Sequence, residues 1–223
     1  MRIVAFVPIK MHSRRLENKM LLPLGGRPLW SHIFECLTKV QSEIEMDIYC
    51  YCSDNSIEEQ LPNNIRFLQR PKTLDSDATK GMEIYTAFAA TIPSDIYVLC
   101  HATSPFVRPE SIVTGIKSVA KGTNDSAFSC SRIQTFCWFN GQPLNYSLDN
   151  IVQTQDIRPV YYETSAFFVF TNELLEKKRR IGCNPRIIET DRIESIDIDE
   201  LNDYLLAQYI ANSTDSKCVV SST

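Results

Sequence analysis

The chain reads as a single α/β domain in which short buried strands alternate with amphipathic helices around one sheet. Three observations support that. The opening apolar run, Ile3 to Ile9, has the unbroken hydrophobicity of a strand covered on both faces. Further apolar runs follow, each separated from the next by residues at helical spacing. The 223 residues suffice for one substantial core and give no internal repeat.

Directly after the first strand comes a loop with Lys10, Arg14, Arg15 and Lys19 against a single acid, Glu17. Ligands of open α/β sheets collect at the carboxyl ends of strands, so this loop is a candidate anion site. Neither G-x-x-x-x-G-K-[ST] nor G-x-G-x-x-G occurs, so side-chain cations must do much of any phosphate holding. A solvated basic loop would carry the same charges; its place after a buried strand favours the ligand role.

Pro28 suits a helix start, and Leu29, Ile33, Cys36, Leu37 and Val40 recur at helical spacing. Asp47 to Cys52 is the second strand; Asp54 is placed to cap a helical stretch from Ile57 to Leu61. Ile65 to Leu68 is a third strand that ends in Gln69, Arg70 and Pro71, and a polar segment then leads to a helix from Met82 to Ala90. Asp95 to Cys100 is the fourth strand and runs into His101, Ala102, Thr103, Ser104 and Pro105. Pro109 to Ala120 follows as a helix and Ser126 to Ile133 as a strand.

Residues 134–162 differ in character, rich in Phe, Trp and Tyr, with Asn140-Gly141 marking a hairpin. Ala166 to Phe170 reads as a buried strand, Glu173 to Arg180 as a charged helix and Arg186 to Glu189 as a short strand. A last helix is expected through Leu201, Leu205, Leu206 and Tyr209 to about Ala211, and a Ser-rich disordered tail over 212–223.

Before that helix stands Ser195-Ile196-Asp197-Ile198-Asp199. In an extended segment residues two apart share a face, so Asp197 and Asp199 would converge while the two isoleucines anchor the other side. Converging carboxylates call for a cation, and Mg²⁺ favours one or two carboxylates plus phosphate oxygens. The other reading makes Asp199 a helix cap and leaves Asp197 on the surface.

A net charge of −4 argues against nucleic acid as a bulk partner. No apolar run approaches the ~20 residues of a membrane span, and no signal-peptide pattern opens the chain. Eight cysteines without any C-x-x-C, mostly within apolar runs, fit buried free thiols in a cytoplasmic protein.

The opening resembles that of the cytidylyltransferases that activate acidic sugars, the CMP-sialate and CMP-Kdo synthetases. Pro8, Lys10, Ser13, Arg14, Arg15, Lys19 and the run Gly26-Arg27-Pro28-Leu29 hold that family's places. Thr103-Ser104-Pro105 and the S-I-D-I-D run match the sialate branch. The resemblance extends from Ile3 to about Ala211 and implies a three-layer, Rossmann-like nucleotidyltransferase fold. In it a mostly parallel sheet carries a dimerising hairpin region at 134–162. It implies the reaction of CTP with an acidic 2-keto sugar to give CMP-sugar and pyrophosphate, in a homodimer.

It also implies roles. Lys10, Ser13, Arg14, Arg15 and Lys19 would bind the nucleotide, with Arg70 at the base. Asp197 and Asp199 would hold Mg²⁺ and, with Lys19 and Arg15, form the catalytic set. His101, Thr103, Ser104, Thr164 and Phe168 would meet the sugar. The chain departs from the pattern where His101 replaces Gln, Gly81 a hydroxyl residue, Met20 an Asn and Phe168 a Tyr. Thr164-Ser165-Ala166 also stands where Asn-Gly-Ala is common. A nucleotidyltransferase for another NTP or sugar, or a non-catalytic nucleotide-binding relative, is the competing expectation.

Overall fold

The computed structural model describes residues 1–220, with side chains through residue 213. Seven strands form the main sheet: β1 (Ile3–Ile9), β2 (Asp47–Cys52), β3 (Ile65–Gln69), β4 (Ile96–Cys100), β5 (Ser126–Ile133), β6 (Val160–Thr171) and β7 (Pro185–Thr190). Their order is β3-β2-β1-β4-β6-β5-β7. All neighbours pair in parallel except β6, which runs antiparallel to both β4 and β5. The expected three-layer, mostly parallel α/β architecture is present. The order turns at β1 and β4, which is where such sheets open a crevice at their carboxyl ends.

The period of two along β1 builds both cores. Ile3, Ala5, Val7 and Ile9 face a cluster with α1 (Leu29–Gln41) and α3 (Pro109–Ala120). Val4 and Phe6 face the opposite cluster with Tyr85 and Phe88 of α2 (Gly81–Thr91) and with Leu174 and Leu175 of α4 (Asn172–Glu176). Phe6 stacks on Phe88 with ring centroids 4.3 Å apart. Burying several large aromatics at about 25 cal/mol per Å² makes this second layer a main source of cohesion.

A third, smaller cluster joins the two ends of the chain. Leu24 and Leu29 pack with Ile198, Tyr204 and Ala207, the last two on α5 (Leu201–Val220). The Tyr204 hydroxyl donates to Pro23 O at 2.6 Å. Leu24 reaches that position because the ribbon Pro23–Leu24 / Arg27–Pro28 turns through Gly25 and Gly26, at φ 53° and 75°. That two-residue turn needs positive φ at both positions, which glycine adopts without strain.

Most predicted elements lie within a residue or two of their expected bounds, and four differ, the first being β6, which begins at Val160 and not at Ala166. After Asp54, which does cap through a bond from Ser56 N at 2.9 Å, the chain forms 3₁₀ turns over Asn55–Gln60. The charged helix expected to reach Arg180 ends at Glu176, and Lys178 sits in the left-handed region at φ 57°. The expected disordered tail begins inside α5, whose bounds run to Val220; residues 221–223 lie outside the described residues.

The Asn140-Gly141 hairpin is present between Trp138–Phe139 and Gln142–Pro143. Around it Trp138, Phe139, Leu144, Leu148 and Ile151 are exposed. Among the described residues no helix is long and apolar enough to cross a membrane. Cys36, Cys50, Cys52, Cys100 and Cys130 are buried and free, as expected. Burial pushes the Cys36 thiol up to about 12.

Candidate active site

The loop after β1 folds back so that its last cation turns inward. Asn18, at φ 50°, reverses the chain into the short turn Lys19–Leu21, which buries Lys19 and Met20. Asn tolerates this left-handed conformation better than most side chains. A buried ammonium is costly unless it is paired. The Lys19 Nζ donates to Ile198 O at 2.8 Å and to Asp199 Oδ1 at 3.0 Å. Arg15 grips the same carboxylate with two nitrogens, at 2.8 and 2.9 Å.

The segment that carries the aspartates is fixed from behind. Ile198 N donates to Thr103 O at 2.8 Å, which ties the run to the loop after β4. Ile198 is fully buried in the third cluster, as the alternation requires. The helix cap is Asp203, not Asp199: its Oδ2 accepts from the Asp199 and Glu200 amides at 3.0 and 2.8 Å. The Asp199 side chain is thereby left to the cations.

Asp197 lies beside it, half-buried. Burial raises its pKa, opposed by a Thr103 hydrogen bond and reinforced by the charge of Asp199. Its buried Oδ1 has no hydrogen-bond partner among the described residues. A buried carboxylate oxygen without a donor, two residues from a second carboxylate, is a donor set that fits a hard divalent cation. Among the described residues no group of three or more His, Cys, Asp or Glu side chains could hold a metal, so a hard ion here would also need substrate oxygens.

The remaining cations gather on the other wall. Lys10 Nζ lies 3.0 Å from Asp77 Oδ1, and Arg14 NH2 lies 2.6 Å from Asp77 Oδ2. Together Lys10, Ser13, Arg14, Arg15, Lys19, Asp77 and Thr103 line a cavity of about 390 Å³. A second cavity of about 650 Å³ shares Lys10 and His12 with it and reaches Ser53, Asp54 and Gln69, at the carboxyl ends of β2 and β3. Arg70 lies in the interior next to this cavity, 2% exposed, over the Tyr51 ring and paired with Asp75 at 2.5 Å.

The geometry therefore gives two joined cavities at the turn of strand order, in which the cations of the basic loop face the carboxylates of Asp77 and Asp199. The family of cytidylyltransferases matches residues 4–207. The chain belongs to that family.

Among curated relatives, the chain is 20% identical over 215 residues to an N-acylneuraminate cytidylyltransferase of Streptococcus agalactiae serotype III. That match covers 92% of the chain and 52% of the relative, so the chain spans about half the length of such relatives. A CMP-N,N'-diacetyllegionaminic acid synthase of Legionella pneumophila is 24% identical, with 93% of this chain and 95% of the relative covered. The solved structure of a CMP:2-keto-3-deoxy-manno-octonic acid synthetase complexed with CTP shares the fold. Its TM-score is 0.68 at 13% identity, over 96% of this chain and all of that one.

Several residues expected to meet a sugar in this cytidylyltransferase-family chain lie deeper than the crevice. Ser104 is buried, and its Oγ has no hydrogen-bond partner among the described residues. Thr164 is buried and donates to Ser129 Oγ at 2.8 Å, and Phe168 is fully buried in the second core. His101 is partly buried, and its Nδ1 bonds Ser165 O. A carbonyl only accepts, so Nδ1 carries the hydrogen and Nε2 is the acceptor of the neutral ring. Burial lowers the His101 pKa, against a smaller upward pull from Ser165.

Four residues escaped the sequence reading. Asp77 neutralises two cations, Asp75 holds Arg70, His12 lines both cavities, and Asp203 caps α5. His12 carried a signal by lying within the basic loop, Asp77 by the Ser-Asp pair that follows Arg70-Pro71 in the resembling family, and Asp203 by ending the acidic stretch, though no role was assigned to any of them. Asp75 gave none, because its partner Arg70 meets it across a turn the pattern does not show.

Proposed function

We propose that the chain transfers the CMP unit of CTP to an acidic 2-keto sugar, releasing pyrophosphate. One observation carries this reading. The cationic loop after β1 meets the Ser195–Asp199 run at the turn of strand order, with Lys19 bonded to both Ile198 O and Asp199.

In this reading the triphosphate lies in the smaller cavity and the nucleoside in the larger. Lys10, Arg14 and Arg15 are held by carboxylates in partly exposed pairs, which solvent screening weakens. A triphosphate exchanges those contacts for stronger, charge-assisted bonds. Lys19, buried and fixed, holds its charge where negative charge builds up at the reacting phosphate. Asp197 and Asp199 would hold Mg²⁺, which supplies charge neutralisation between phosphate oxygens. The anomeric oxygen forms its bond to the α-phosphorus, its proton passing to solvent, as the bond to pyrophosphate breaks in line, so the site works mainly by positioning and charge.

Two copies would meet through residues 134–162, where Trp138, Phe139, Leu148 and Ile151 present apolar surface. The acceptor is an acidic nonulosonate or a relative of one; the relatives named for sialic-type acids support that class. The deciding experiment measures pyrophosphate release with Mg²⁺, each of four NTPs, and a panel of nonulosonates and Kdo. Release with CTP and one acidic sugar is expected. CTP binding without release from any member would favour a nucleotide-binding relative without turnover, and release with another NTP would redirect the assignment.

A further inference from the structure

Two acids face the basic loop, and they are mounted differently. Asp199 takes a buried cation, Lys19, and its neighbour Ile198 is tied through its amide to Thr103 O. Asp77 stands in a turn over 76–79, between Lys72–Asp75 and α2, closed by Thr79 N donating to Ser76 O at 3.1 Å. From there its two oxygens divide between two cations, Oδ1 with Lys10 Nζ at 3.0 Å and Oδ2 with Arg14 NH2 at 2.6 Å. The Lys10 hydrogen bond, with the charge of Arg14, holds the Asp77 carboxyl below the usual carboxylate range.

Among the described residues this trio is closed: Asp77 accepts from no other group, and neither Lys10 nor Arg14 has a second hydrogen-bond or ion-pair partner. Lys10, Asp77 and Arg14 are 40, 45 and 82% exposed, so solvent and not core surrounds the pairs, and both can exchange. All three side chains line the phosphate cavity. A carboxylate placed there does what a phosphate oxygen would do, accepting from an ammonium and a guanidinium in the space where an anion would bind. Two cations that carry their own carboxylate offer a ligand one net positive charge instead of two.

We propose that Asp77 is a built-in competitor of the triphosphate: in the free protein it occupies Lys10 and Arg14, and a polyphosphate binds by breaking both pairs. The inference concerns regulation of the site described above and rests on the transfer reaction only for the choice of CTP. Such a residue lowers apparent affinity by the fraction of molecules whose cations are already taken. It also keeps an anion ready to reclaim Lys10 and Arg14 as pyrophosphate leaves.

The sign of the effect separates this role from a supporting one. If Asp77 served to orient the two cations, its loss would weaken anion binding; as a competitor, its loss strengthens it. Wild type, Asp77→Asn and Asp77→Ala are titrated calorimetrically with CTP, tripolyphosphate and cytidine in metal-free buffer. Releasing two partly exposed pairs should tighten CTP and tripolyphosphate at least about threefold, and up to about 30-fold, in both variants. Cytidine, which has no phosphate, should bind all three proteins alike. The gain should shrink as sodium chloride is raised from about 0.05 to about 0.5 M.

A smaller gain for tripolyphosphate in either folded variant, or weaker binding, would overturn the proposal. So would an equal gain for cytidine, a gain indifferent to salt, or failure of all three proteins to bind either polyphosphate. Tripolyphosphate that binds more tightly in both variants, with no pyrophosphate released from CTP with any sugar, would leave the role of Asp77 standing and count against the transfer reaction.

Discussion

The two walls of the crevice are built on different principles. On the side of the basic loop, cations and carboxylates already face each other: Asp199 with Arg15 and Lys19, Asp77 with Lys10 and Arg14. On the side of β6 the positions expected to meet a sugar are packed into the core, as Thr164 against Ser129 and Phe168 among Leu99 and Phe170. The first wall is electrostatic and exchangeable; its partly exposed pairs are weak and ready to be replaced by a ligand. The second is steric, and its shape is set by the fold. Changes on the first wall should therefore alter chemistry with little loss of structure, and changes on the second should alter structure first.

The largest test falls on the acids of the first wall. Asp197→Asn and Asp199→Asn should each lower magnesium-dependent pyrophosphate release by at least about a thousandfold, while circular dichroism stays native. An unaltered magnesium response in both would break the contrast. Lys19→Ala comes next, with an expected fall in kcat of about 10²- to 10³-fold, the usual loss for one preorganised donor. Its urea midpoint should shift far less in proportion, because removing the ammonium also removes the cost of burying it.

A smaller effect is expected away from both walls. Ile151→Asp combined with Phe139→Asp should convert a dimer to a monomer in sedimentation without lowering the melting temperature of the subunit. A species of unchanged mass would remove the apolar region from the proposed interface.

The smallest effect sharpens the second wall. The His101 pKa is lowered, chiefly by burial, so the folded protein binds that proton less readily than the unfolded chain. The stabilising contribution is present above pH ~6.5 and is lost as pH falls through the lowered value. His32 is shifted the same way, also mainly by burial. His101→Gln should therefore flatten, without abolishing, the decline of the urea midpoint between pH 7 and 5. An identical slope would mean that the ring is not held neutral by its surroundings.

Much of the fold was legible because it rests on local patterns. Ile3–Ile9, Asp47–Cys52, Pro109–Ala120 and Ser126–Ile133 are hydrophobic runs or stripes that solvent exclusion forces into one conformation. Asn140-Gly141 gave the hairpin through its backbone preference. Lys19 and the two aspartates were legible as residue types in a telling order. What could not be read was long-range pairing: Asp77 with Lys10 spans 67 positions, and nothing near either residue announces the other. The early end of α4 also escaped, since Lys177 to Arg180 carries helix-favouring charges; the cation–π seat of Arg180 on Phe168 is a tertiary contact without local signature.

The bond between Arg15 and Asp199 joins residues 184 positions apart. At a synthesis rate of about 5–20 residues per second, the basic loop leaves the ribosome roughly 10–40 s before its carboxylate partner. Through that interval the nascent chain carries four cations with no acid from the Ser195–Asp199 run to meet them. The pairs of Arg15 and Lys19 with Asp199 therefore form long after Asp77 has become available to Lys10 and Arg14.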